Sequence, residues 1–111
     1  MRATKHGLTR QTLEEITAIL ARYSQLEKAV LFGSRAKGSH ERGSDIDLAL
    51  VGDGIDRRMI GAMRVDFDDS SLPYRVSLVP LDNRTDPDLA EHVHRVGVPI
   101  YVRAPVLEKP A

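Results

Sequence analysis

Residues Ala29-Val30-Leu31-Phe32 form a run with no polar side chain, and Gly33-Ser34 closes it at once. Such a run reads as a strand buried on both faces. A strand without a solvent face must lie inside a sheet that is packed from both sides, so the rest of the chain has to supply the covering layers. The flanking sequence offers them. Leu13, Ile16, Ile19, Leu20 and Tyr23 recur at helical spacing, which predicts an amphipathic helix over 8–23. Thr9 is its expected N-cap, with Leu8 and Leu13 placed as a hydrophobic staple.

Beyond the Gly-Ser stop, a short helix is expected from Ser34 to about Lys37, ending at Gly38. Residues 39–44 are polar and read as a loop. Asp45 to Val51 then alternates: Ile46, Leu48 and Leu50 share one face, and Asp45, Asp47 and Ala49 share the other. Ile55, Met59, Ile60, Met63 and Phe67 mark another helix, expected to end near Asp68 with Asp66, Asp68 and Asp69 solvated. Pro73 precedes a strand over Tyr74–Val79. Asp86 as N-cap and Pro87 at the first position open a last helix, carrying Leu89, Val93 and Val96 as its apolar stripe and Gly97 as its C-cap. Val98 to Val102 suits a final strand. Alternating helices and strands argue an α/β domain with a small sheet.

With 111 residues there is room for one domain, with an ordered core expected over about 8–103 and a loose tail at 104–111. Formal net charge is zero, so the basic excess typical of a nucleic-acid-binding domain is missing, and nucleic acid is not the expected partner. The absence of Cys excludes disulfides and thiolate metal sites. No apolar run is long enough to span a membrane, and no apolar segment follows the basic residues near Met1. The expected location is cytoplasmic.

Two features of the Gly33–Asp47 stretch carry chemistry. Glycine at a strand exit lets the backbone approach a ligand, and a helix start offers free N–H groups to a phosphate. The Ser34 hydroxyl adds a donor, and Arg35 and Lys37 add positive charge. Asp45 and Asp47, two apart on a strand, aim both carboxylates at one spot. Carboxylates that close repel each other, and a divalent cation resolves the repulsion. Magnesium takes one or two carboxylates together with phosphate oxygens and water. The turn and the paired aspartates therefore describe one site, suited to a metal-bound nucleoside triphosphate. The expected reaction is attack on the α-phosphorus.

The run LFGSRAKGSHERGSDIDLAL, with Gly33-Ser34, ten intervening residues and Asp45-x-Asp47, resembles the signature of the minimal nucleotidyltransferases within the DNA polymerase beta-like superfamily. The resemblance reaches from the first helix to Tyr101. It implies a small mixed β-sheet flanked by helices, the nucleotidyltransferase-like fold. It also implies that Gly33 and Ser34 hold the β- and γ-phosphates of ATP, with Arg35 beside them, and that Asp45 and Asp47 ligate magnesium (Mg2+). Members of this kind often pair with a small all-helical HEPN-type toxin. There the nucleotidyltransferase is the antitoxin and can transfer AMP to a tyrosine of its partner, in a hetero-oligomer.

The same family normally carries a third carboxylate on the next strand. Here Ser77 stands at that position, within Arg75–Val79. A serine hydroxyl is uncharged near neutral pH and is a poor general base. Three readings follow: a nucleotide-binding module that neutralises its partner by masking, a substitute carboxylate such as Asp82, or a site completed by the partner. Transfer of a nucleotidyl group to an antibiotic is a further alternative, although such enzymes usually carry an extra acceptor domain. Elsewhere, His40 is expected to be a solvated loop residue. His92 and His94, two apart on a helix, are read as surface residues. Met59 and Met63 are assigned to the core, and Tyr74 to packing.

Overall fold

The structure, a computed structural model, describes residues 7–38, 45–82 and 84–103. His40, most of the spacer loop and the tail at 104–111 lie outside these residues. The elements run α1 (Arg10–Leu20), β1 (Lys28–Phe32), α2 (Gly33–Lys37), β2 (Ile46–Val51), α3 (Arg57–Asp68), β3 (Val76–Pro80), α4 (Pro87–Val96) and β4 (Val98–Val102). All eight expected elements are present in the expected order.

The strands form one sheet in the order β3-β2-β1-β4. β1 pairs antiparallel with both β2 and β4, whereas β2 and β3 are parallel. The sheet is therefore mixed, as the resemblance implies. A parallel pair cannot be closed by a tight turn and needs a crossover, which α3 provides. β4 is an edge strand. Its ladder skips Ile100 between Tyr101, opposite Ala29, and Pro99, opposite Val30. An edge tolerates both this bulge and a proline without N–H.

The apolar run at 29–32 is buried on both faces, and each face has its own layer. Ala29 and Leu31 face the larger core with Ile46, Leu48, Leu50 and Leu78, covered by α1 through Ile16 and Leu20 and by α3 through Met59 and Met63. Val30 and Phe32 face the opposite way, with Ala49, and are covered by Val93 of α4. The alternation in β2 thus separates two cores. Met59 and Met63 belong to the first, as expected.

Local caps follow the sequence. The Thr9 side chain accepts the Thr12 N–H, and Leu8 is fully buried with Leu13 packed against the same core. Asp56 caps α3 by accepting the Met59 N–H at 2.9 Å. Asp86 accepts the Asp88 N–H at 2.8 Å, with Pro87 opening α4. Gly97 ends α4, but its φ of −64° is extended backbone rather than a left-handed cap. Space selects this glycine: a Cβ there would lie 2.3 Å from the Val93 carbonyl oxygen and 2.5 Å from a Val30 methyl.

Asp66 departs from the expected solvated helix end. It accepts a hydrogen bond from the Tyr23 hydroxyl and lies 3.6 Å from Arg22. α1 and α3 pack side by side, so the acidic end of one meets the polar end of the other. Burial, reinforced by the hydrogen bond to Asp66, pushes the Tyr23 hydroxyl pKa up to about 12. Among the described residues no helix is long and apolar enough to cross a membrane.

Candidate nucleotide and metal site

β1 ends at Phe32, whose extended backbone (φ −137°, ψ −171°) caps the short helix α2 without a side-chain hydrogen bond. Gly33 follows with φ +77°, a left-handed conformation that side chains rarely adopt. The reversal turns the chain across the end of the sheet. It also brings the bare face of Gly33 against the neighbouring strand. Asp47 is the register partner of Phe32. Its Oδ2 lies 2.4 Å from where a Cβ on Gly33 would stand. Glycine is therefore required here twice, for its dihedral angle and for the room it leaves to a carboxylate.

On the other side of β2, Asp47 pairs in register with Ser77 of β3. Parallel partners in register point to the same face. Gly33, Asp47 and Ser77 thus follow one another across the ends of three adjacent strands. Asp45 lies just before β2 and is exposed. Asp47 is half-buried, and its carboxyl pKa is raised first by burial and then by the charge of Asp45, with His92 opposing the shift. The pair holds negative charge in a partly desolvated place where a cation would relieve it. Hard oxygen ligands on one side of a glycine turn fit magnesium better than a softer metal.

Asp82 does not substitute for the missing carboxylate. β3 continues alongside β2 to Pro80, opposite Leu50, and Leu81 donates its N–H to the Leu50 carbonyl. At ~3.3 Å per residue, five residues place Asp82 roughly 16 Å along the strand from Ser77. Its Oδ1 accepts the Arg84 N–H at 2.8 Å in a turn. Among the described residues no cluster of three or more His, Asp or Glu could hold a metal.

Arg35, expected beside the phosphates, is buried. Its side chain is only 2% exposed, and its guanidinium carbon lies 4.7 Å from the centroid of the Tyr74 ring. This cation–π contact braces α2 against the segment leading into β3. Tyr74 packs against the larger core, in keeping with its expected packing role.

His92 is not the surface residue expected. It is half-buried, and its Nε2 accepts the Gly33 N–H at 3.2 Å. The ring meets Phe32 edge-on, with centroids 6.1 Å apart and planes at 82°. An accepting Nε2 places the ring proton on Nδ1. The signal for this contact was present in the helical pattern. His92 is three residues after Leu89 and four before Val96, so it shares their stripe. His94 does not, and it is exposed, as expected. His94 instead borders a cavity of about 590 Å³, floored by Val30, Val51 and Val93 and lying beside Lys28. That cavity sits toward the opposite end of β1 from Gly33.

Known proteins resemble this chain in sequence and in fold. The family described as "Polymerase beta, Nucleotidyltransferase" matches residues 14–105. A probable protein adenylyltransferase MntA of Haemophilus influenzae is 35% identical over 80 residues, spanning 71% of this chain and 69% of that protein. A crystal structure of a toxin–antitoxin with AMP-PNP is similar at a TM-score of 0.69 and 26% identity, over 82% of this chain and 73% of that one. The fold is also that of a chain in the tri-AMPylated Shewanella oneidensis HEPN toxin complex with MNT antitoxin, at a TM-score of 0.63 and 22% identity, over 82% and 70% of the two chains.

Proposed function

The chain belongs to the polymerase beta nucleotidyltransferase family, and from that premise we propose that it is the antitoxin of a HEPN-type toxin, binding Mg–ATP and transferring AMP to that partner. The carrying observation is the Asp47 carboxylate seated against the bare face of Gly33 with Asp45 beside it. In this reading Gly33 and Ser34 form the phosphate turn, and Asp45 and Asp47 hold the metal. Magnesium held by Asp45 and Asp47 would offset the negative charge of the triphosphate and make the α-phosphorus more electrophilic. Support for ATP comes from the AMP-PNP complex of a relative, and support for a toxin acceptor from the AMPylated complex.

The transfer joins an acceptor hydroxyl oxygen to the α-phosphorus, breaks the bond to the bridging oxygen, and releases pyrophosphate. The hydroxyl proton must go to a base. Ser77, facing the site beside Asp47, takes none near neutral pH. This observation favours a second reading: a nucleotide-binding module that neutralises the toxin by covering it.

One experiment separates the two. The wild-type chain and Ser77→Asp are each incubated with Mg–ATP and a HEPN-type partner, and the partner is followed by mass spectrometry. Transfer predicts nucleotidyl-sized mass increments, gained about 100-fold faster with Ser77→Asp. Intact ATP binding with no increment from either protein would sink the enzymatic reading. Neutralisation that survives alanine at both Asp45 and Asp47 would establish masking.

A further inference from the structure

We propose that His92 is a positioning residue for the phosphate turn, a clamp from α4 that holds the Gly33 amide and so sets the turn before any nucleotide arrives. The inference rests on the nucleotide reading above and adds a residue and a division of labour to it.

Four observations support it. The Gly33 N–H, first in the turn, is already donated to His92 Nε2 at 3.2 Å. The imidazole is held by its edge-to-face contact with Phe32, the residue immediately before Gly33. Its helix is fixed to the same sheet face through Val93, packed with Val30, Phe32 and Ala49. Finally, α2 has only five residues, and its N-cap offers no side-chain hydrogen bond to stabilise it. A helix that short is marginal on its own, so its orientation depends on tertiary contacts. His92 supplies one at the residue whose φ of +77° and contact with Asp47 define the site.

A division of labour follows. With its amide engaged, Gly33 serves the phosphates by its shape: it has no Cβ, and it reverses the chain beside Asp47. Donation to the phosphates falls to Ser34 and the amides after it. The clamp acts by geometry, so an acceptor at the position of Nε2 should be able to replace it. The side-chain oxygen of Gln reaches that position, whereas that of Asn stops near the position of Nδ1.

The test measures Mg–ATP and AMP affinities of the full chain by calorimetry for wild type, His92→Gln, His92→Asn and His92→Leu, with His94→Ala as the control. Loss of one preorganising hydrogen bond predicts ATP binding weakened about three- to tenfold in His92→Leu and His92→Asn. His92→Gln should stay within about twofold of wild type, and AMP affinity should change little throughout. His94→Ala should match wild type. Should His92→Leu fail to fold, the Gln and Asn pair still decides the matter, because both side chains are polar and differ only in reach. Equal ATP affinity in Gln and Asn variants would overturn the clamp. Tighter binding in His92→Leu would also overturn it, showing that the imidazole competes with phosphate for the amide. A wild-type chain without magnesium-dependent ATP binding would overturn the nucleotide reading itself, and the clamp with it.

Discussion

Gly33 and Gly38 carry nearly the same left-handed backbone, with φ of +77° and +80°, yet their surroundings differ completely. An alanine Cβ at Gly38 would meet nothing within 4 Å, whereas at Gly33 it would stand 2.4 Å from Asp47 Oδ2. The two substitutions therefore share one cost and differ in another. Placing an L side chain in the left-handed region costs about 1–2 kcal/mol at either position. For a domain of this size that lowers Tm by about 5–10 °C. The added clash at Gly33 is with the far end of a side chain, so the carboxylate can rotate away at little further cost in stability. What it loses is its place. Gly33→Ala is thus expected to match Gly38→Ala in thermal stability but to weaken Mg–ATP binding at least tenfold more. Calorimetric unfolding and ATP titration on both variants measure the two effects. Equal ATP affinity in the two variants would refute the reasoning, since it would mean that the seat of Asp47 against Gly33 does not matter to the ligand.

Two further predictions concern pH and charge. The Asp47 carboxyl pKa is raised, so the folded state favours its neutral form; the benefit is full below the ordinary carboxylate range and disappears as pH rises through the raised value. Ionised Asp47 then costs stability at neutral pH, and Asp47→Asn should raise the ligand-free Tm there, with the gap closing in acid. Mg–ATP at a hundred times its Kd should stabilise wild type by about 2.7 kcal/mol and Asp47→Asn by much less; an equal gain in both would count against Asp47 as a metal ligand. The Tyr23 pKa is raised to about 12, so its contribution is complete below about pH 10 and fades as pH climbs through 12. Tyr23→Phe should cost about 0.5–1.5 kcal/mol at pH 8, a hydrogen bond to a carboxylate discounted for solvent screening, and denaturant melts should show the difference from wild type shrinking between pH 10 and 12.

The legible part of this protein lay in patterns of neighbouring residues. Periodicity, an unbroken apolar run and glycine or proline stops together located all eight elements to within a few residues, because burying an apolar stripe or face is the main force that fixes most of them. The glycine-serine turn and the two aspartates were readable for a related reason: a strand exit and a strand alternation place their own side chains. Even Ser77, where a third carboxylate is expected, could be located from its strand, and the parallel register puts it on the same face as Asp47.

Contacts between segments far apart in sequence were decided only by the tertiary structure. Gly33 and His92 are 59 residues apart, and Tyr23 and Asp66 are 43 apart. Arg35 carries the charge expected beside a phosphate, yet its guanidinium is buried against Tyr74. Spacing along a chain specifies which way a side chain leaves its own element. It does not specify which other element will be there to meet it, because packing of helices on a sheet is chosen by the fit of whole faces. For this chain the sequence by itself determined an apolar central strand, a glycine turn and paired carboxylates. The structure decided that α4 packs on that strand and that its His92 reaches the Gly33 amide.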